Sequence, residues 1–383
     1  MRDSTNIKRR TALKTIGAGI VGGAMTGIAS STAGAVPLGP PGTGGKRKNP
    51  ITITAGHDHD NHEHWFELSE TTISSGWTTI ELDNQTDHVH FGAINRLQKG
   101  TLAGLGLDTD DPDVEAIGDA FVENLSQPFQ DEWEPYYEGK IGWGELFDRL
   151  FGAIGWFFDP DAAPISSGGP GMLSGYRTSK TTMNFAPGYY AIECYVMDDE
   201  GVFHVSDGMV EGFEVKAEES RMSKPRATLD VSISNSDGIE FNKEYVNPGR
   251  HTFEVTFESN QAYAHGFPHD VSLIRLENGT TIDDVNDWMD YLDPDPDEGG
   301  YGDPDATYAD RGALASTGNE PGPQTWLGGV QALDPTAVAE TAYFEAGLGV
   351  GEYALVAEVP DPQSKGLLKT FTVAPPGWRR WDH

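Results

Sequence analysis

The sequence predicts an all-β protein of two tandem Greek-key β-sandwiches, the first carrying a helical insert. Three observations lead there. The stretches "TTIELDN", "HFGAINRL", "YYAIECYV", "DVSISNS", "HTFEVTFE" and "YALVAEV" are short, rich in β-branched and aromatic residues, and bounded by Gly, Pro, Asn or Asp, which is the punctuation of strands joined by turns. The plan occurs twice. "GWTTIELDNQTDHVHFGAINRLQKGTL" from Gly76 aligns with "GRHTFEVTFESNQAYAHGFPHDVSLIRLENGTT" from Gly249, and "PGYYAIECYVMDDEG" aligns with "VGEYALVAEVPDPQS". The 383 residues are also comfortable for two domains that each bury a core.

In chain order, residues 1–35 read as a targeting segment. Arg9-Arg10 precede Thr11, Leu13 and Lys14, a weakly apolar Gly-rich run follows, and Ala33-Gly34-Ala35 offers a cleavage site. The pattern resembles a twin-arginine export signal, and an uncleaved signal would anchor the chain at the membrane. Residues 36–49 are a Pro/Gly-rich linker. The first sandwich is placed at 50–216, a polar linker at 217–224, the second sandwich at 225–375 and a tail at 376–383. Within the first, "GDAFVENL" and "WGELFDRLFGAIGWFF" show helical spacing of apolar residues and are expected to cover one edge of the sheets. The equivalent insert of the second, "DPDPDEGGYGDPDATYADRG", is acidic and reads as a surface loop.

Acidic residues outnumber basic ones 60 to 26, for a net charge of -34 spread along the chain. Such a surface excludes a nucleic-acid partner, which needs basic patches. Nine Trp, 13 Tyr and 17 Phe argue for packed cores over disorder. The balance is that of a secreted halophile protein, in which molar salt screens the self-repulsion.

One cysteine in an exported chain has no internal disulfide partner, so it must be buried or ligated to escape oxidation. Cys194 is followed by His204 and Met209, and His90 lies on an earlier strand. Two imidazoles, one thiolate and a weak axial thioether are the donor set of a type 1 copper site. In order and donor type these residues resemble the cupredoxin family of blue-copper and halocyanin-type domains. The resemblance implies a cupredoxin-like fold, a single copper cofactor, equatorial ligands His90, Cys194 and His204, and an axial Met209. His88, two residues before His90, is the alternate ligand. The sequence departs from the family in two places. The gap from Cys194 to His204 is longer than in the small members, and Phe91 stands where many have an Asn whose contact to the thiolate tunes the potential. In the second copy His269 matches His90, but Ala357 stands at the cysteine position and neither a following His nor a Met remains, so that copy is expected to hold no copper.

The function implied is one-electron transfer through one copper, with a redox protein at the outer membrane face as partner and peripheral membrane association as a further possibility. Type 2 or trinuclear copper catalysis is disfavoured, because Glu193 and Tyr195 flank the cysteine where such enzymes carry bridging histidines. Two other readings stay open: a copper-free cell-envelope binding or structural protein, and copper sequestration or delivery. For the last, "GHDHDNHEHW" concentrates His57, His59, His62 and His64 as accessory metal-binding residues.

Overall fold

The computed structural model describes residues 50–58, 63–198, 201–259, 269–277, 279–289, 324–334, 341–359 and 361–377. The export segment, the first linker, His59, His62 and the acidic insert of the second sandwich lie outside them.

Two β-sandwiches fall within one compact unit. The first is built from β1 (Ile51–Asp58), β2 (Glu63–Leu68), β3 (Thr72–Asn84), β4 (Ala93–Leu97), β5 (Ile165–Ser166), β6 (Arg177–Phe185), β7 (Gly188–Glu193) and β8 (Val210–Glu219). The long strand β3 makes the corner between its sheets. Thr72–Ser75 pair parallel with β8, whereas Gly76–Asn84 pair antiparallel with β6, and Ile80–Asn84 also pair parallel with β1. The switch falls at Gly76, whose φ of 90° is open to glycine and strained for other residues. Past the corner, burial of Ile80, Leu82 and Asn84 alternates with more exposed neighbours, the period-2 signature of a half-buried strand. Asn84, the last inward residue, thus comes to lie under the loop leading to His90.

The second sandwich contains β9 (Leu229–Ser234), β10 (Gly238–Glu240), β11 (Tyr245–Val246), β12 (Gly249–Phe257), β13 (Val271–Leu276), β14 (Gln324–Val330), β15 (Thr341–Leu348), β16 (Gly351–Val356) and β17 (Leu368–Val373). Its pairings match those of the first: β9 runs parallel to β12 as β1 does to β3, β10 folds back on β9, and β16 lies between β13 and β17 as β7 lies between β4 and β8.

The sandwiches share an edge. β6 pairs antiparallel with β15 through Thr182↔Tyr343 and Thr181↔Phe344. The segment between β5 and β6 also bridges to β14 at Pro170↔Val330 and Leu173↔Leu327, and on its other side Leu173 bridges to His90. A residue of the second sandwich therefore backs the strand-like segment that holds His90.

Between β4 and β5 the helical insert forms α1 (Lys99–Gly104), α2 (Ile117–Phe121), a π-helical turn at Val122–Ser126, α3 (Gln127–Tyr137) and α4 (Trp143–Ile154). Its apolar stripe, Leu146, Leu150 and Ile154 on α4 with Trp133 and Tyr136 on α3, is buried. β8 runs to Glu219, into the stretch read from the sequence as linker, because Ser220 N–H and its hydroxyl are bound by the carbonyls of Ser75 and Trp77. In the second sandwich a helix, α5 (Ile282–Met289), precedes the acidic insert, and its Val285 and Trp288 are buried. Among the described residues no helix is long and apolar enough to cross a membrane.

Candidate metal centre

The region from Cys194 to Met209 explains how a cysteine and a histidine ten positions apart meet. Just beyond β7 the chain folds into a small hairpin. His204 N–H donates to Val196 carbonyl at 2.9 Å, and Met197 bridges to Phe203. Asp198 closes the turn by accepting from Val202 N–H at 2.8 Å. Gly201 takes φ of 81°, and a Cβ there would meet the Tyr137 ring at 2.6 Å. At the neck, Met209 N–H donates to His204 carbonyl at 2.9 Å and Met209 carbonyl accepts from Cys194 N–H at 3.1 Å. The longer Cys–His gap is absorbed by this hairpin.

The insert holds the hairpin from outside. Gln130 on α3 donates to Gly201 carbonyl at 3.0 Å and accepts from Phe203 N–H at 3.0 Å. The Ser126 hydroxyl donates to Val205 carbonyl, and the Ser206 hydroxyl donates to Ser126 carbonyl. Phe203 sits edge-on to Trp133, ring centroids 5.2 Å apart. The helical insert thus covers the loop from Cys194 to Met209. Beside it an apolar cavity of about 100 Å³ is lined by Trp133, Phe203, Tyr195 and the Glu193 carboxyl among others. Burial pushes that carboxyl up to about 8, against a stabilising hydrogen bond from Asn95.

His90, Cys194, His204 and Met209 are all fully buried. Cys194 Sγ lies 3.6 Å from His90 Nδ1 and 3.8 Å from His204 Nδ1, so both rings present the same nitrogen to the sulfur. A network on β3 sets the His90 ring. Asn84 donates its amide to the carbonyls of His88 and Leu173, at 2.8 and 3.0 Å, which turns its oxygen towards Thr86. The Thr86 hydroxyl donates to that oxygen at 2.9 Å and lies 2.9 Å from His90 Nε2. With its own proton committed, the hydroxyl accepts from Nε2–H, which leaves the Nδ1 lone pair facing the sulfur. Asn84-Gln85-Thr86 reads as a glycosylation triplet; the buried Asn84 amide is instead spent on this network.

Burial pushes the Cys194 thiol up to about 12, while the backbone N–H groups of Phe91 and Val196 act in the opposite direction by hydrogen bonding to the sulfur. The contact expected to be missing at Phe91 is therefore made by its main chain, and its ring packs edge-on against Tyr195 at 4.5 Å. Burial, followed by the neighbouring His64, holds both His90 and His204 well below the usual imidazole range, so both are neutral and able to ligate. His204 Nε2 is buried with no hydrogen-bond partner. Two neutral imidazoles, a sulfur offered two N–H donors and a buried thioether residue suit a borderline-soft ion, and copper fits the set better than hard cations do.

Of the histidine-rich stretch, His57 and His64 lie on paired strands. β1 and β2 put His57 opposite His64. The buried His64 ring stacks on His204 with centroids 3.9 Å apart, and on its other side on His57 at 4.2 Å. His64, His90 and His204 bring ligand atoms within 4.8 Å of one another, and so do His57, Asp87 and His88. His88 thus joins the second group, and the imidazoles in contact with the sulfur are those of His90 and His204. Sequence reasoning missed Thr86, Asn84 and Asp87 as well as the stacking role of His64. In the second sandwich His269 and Ala357 occupy the positions equivalent to His90 and Cys194, both fully buried, and burial lowers His269 to about 4.

No family model matches the chain, and no curated protein does. Among solved structures it is similar to reduced auracyanin from the photosynthetic bacterium Roseiflexus castenholzii, at 15% identity over 40% of this chain and 100% of that one, with a TM-score of 0.23. It is also similar to a multi-copper oxidase from Pediococcus acidilactici, at 9% identity over 87% and 60%, TM-score 0.22. A third is the copper nitrite reductase of Nitrosomonas europaea, at 9% identity over 85% and 93%, TM-score 0.19. Likenesses this distant carry no argument about the site, which stands on its own geometry.

Proposed function

We propose that the chain is an exported type 1 copper protein that passes single electrons through one copper held by His90, Cys194, His204 and Met209. The observation that carries this is the pair of imidazole Nδ1 atoms converging on one buried sulfur at 3.6 and 3.8 Å. When bound, copper supplies a one-electron couple between cuprous and cupric states. The protein's part is to hold the ligands. Thr86 and Asn84 fix the His90 ring, the Phe91 and Val196 N–H groups favour the thiolate, and α3 with the hairpin keeps water from the centre. In this reading the chain is two tandem cupredoxin-like copies, supported by the matching strand pairings, and the second copy is a scaffold without ligands. Export by the twin-arginine route, a halophilic setting and a redox partner with a basic patch for the acidic surface complete the proposal.

Copper sequestration or delivery is the second reading, favoured by the stack of His57 and His64 on His204. Loading the purified chain with cupric ion tests both. The expected result is an intense thiolate-to-copper band in the visible, abolished by Cys194→Ser, with reversible one-electron reduction. Tight cuprous binding without a reversible couple points to storage. A folded protein that takes up no copper at Cys194 overturns both and leaves the copper-free envelope protein.

A further inference from the structure

We propose that His57, Asp87 and His88 form a second metal site, which takes a borderline divalent cation such as cupric ion at the solvent-facing end of an imidazole column. The three ligand atoms lie within 4.8 Å of one another, two imidazoles half-buried and the carboxylate exposed. They come from separate elements. His57 is the penultimate residue of β1, while Asp87 and His88 belong to the loop between β3 and His90. The β1–β2 register sets the position of His57: facing His64 across the hairpin, it stacks on that ring at 3° between planes, and His88 meets it edge-on at 4.8 Å. The Asn84 amide, through the His88 carbonyl, fixes the loop on the other side.

The chemistry of the donors selects the ion. Two imidazoles and one carboxylate suit cupric, zinc or nickel ions, while calcium and magnesium prefer all-oxygen sets. Exposure of Asp87 leaves room for water as further ligand. The 3.4 Å contact between His88 Nε2 and Asp87 Oδ1 accounts for those two residues alone. It does not explain why His57 brings a ligand atom within reach of both. His64 lies between His57 and His204, stacked on both, so the second site is one imidazole layer from His204 and the buried sulfur. A strongly acidic protein also concentrates cations at its surface.

Titrating the full chain with cupric ion, followed by electron paramagnetic resonance and visible absorption together, tests the assignment. The expected result is an equivalent with a tetragonal, imidazole-coordinated signal and no strong colour, in addition to any coloured one. Asp87→Asn, a mild change at an exposed position, and His57→Ala/His88→Ala should each remove that equivalent and leave the coloured one, with unchanged far-ultraviolet circular dichroism. His59→Ala/His62→Ala should keep it. The site is overturned if the tetragonal equivalent is absent from the wild type, survives both site variants, or is lost only with His59 and His62. Failure of the proposed type 1 centre is a separate result, read from the coloured band and Cys194→Ser.

Discussion

At the scale of the residue, Thr86 is the group whose removal says most about how the centre is held. Its hydroxyl gives its proton to Asn84 and receives His90 Nε2–H, so Thr86→Val leaves a buried N–H without an acceptor and frees the ring to turn. Loss of such an outer partner typically weakens metal binding about 10–100-fold. Copper affinity measured by competition with a chelator should fall by that order in Thr86→Val, and Thr86→Ser should restore it. Equal loss in the serine variant would show that the methyl group, not the hydroxyl, matters. That Cys194, His204 and Met209 come together in a buried cluster was legible in the sequence, because they lie in one short run of residue types that suit copper. Thr86 was not, because a threonine two residues after an asparagine carries no metal signal until the strand end brings it under His90. Phe91 shows the reverse error: its side chain looked like a lost contact, yet a main-chain N–H is present whatever the side chain.

At the scale of the element, the insert and the Cys–His hairpin stabilise each other. Gln130 makes two hydrogen bonds to the hairpin backbone in a buried position. Gln130→Ala leaves the Phe203 N–H and Gly201 carbonyl unmet, at about 1–3 kcal/mol per buried unsatisfied group. Gly201→Ala adds a left-handed backbone strain and a clash with Tyr137. Urea unfolding should show both variants destabilised, and in both the copper-loaded protein should exchange its metal faster. Unchanged exchange with lowered stability would mean that the insert supports the fold and not the centre. The helices of the insert were readable from apolar spacing in "WGELFDRLFGAIGWFF", as were β3, β7, β12 and β16 from β-branched and aromatic content between turn residues. β6 was not read: in "RTSKTTMNF" Thr181, Thr182 and Met183 are buried in succession, because one face meets its own sandwich and the edge meets the second. Alternation is lost where both faces are covered. The β1–β2 hairpin was missed for another reason. Its histidines look solvated in sequence, and only pairing of β1 with β3 places His64 on His204.

At the scale of the whole molecule, the second sandwich supports the segment that holds His90. β14 backs the segment that bridges to His90, and hydrogen bonds cross between the sandwiches: Thr181 hydroxyl to Gly329 carbonyl at 2.9 Å, and Met172 N–H to Ser272 hydroxyl at 3.2 Å. Ser272 in turn donates to Asp270 at 2.8 Å, and Asp270 also accepts from Glu358 N–H. Asp270 is buried, and desolvation raises it from 3.8 to about 6, more than its hydrogen bonds lower it. A carboxyl that holds its proton more tightly folded than unfolded favours the folded state at low pH. That contribution is fully present below about pH 4, falls as pH rises towards 6, and is gone above it. The two values are about two units apart, and each unit corresponds to 1.36 kcal/mol, so the loss is of the order of 3 kcal/mol. Asp270→Asn cannot ionise. Its altered hydrogen bonds add an offset that does not vary with pH, whereas the stability difference between variant and wild type should climb by about 3 kcal/mol in the variant's favour between pH 4 and 6. Chemical denaturation at a series of pH values reads this directly, and taking the difference between the chains cancels the many other acidic groups. A difference that stays flat from pH 4 to 7 would place Asp270 in a wetter site than this junction between the two sandwiches.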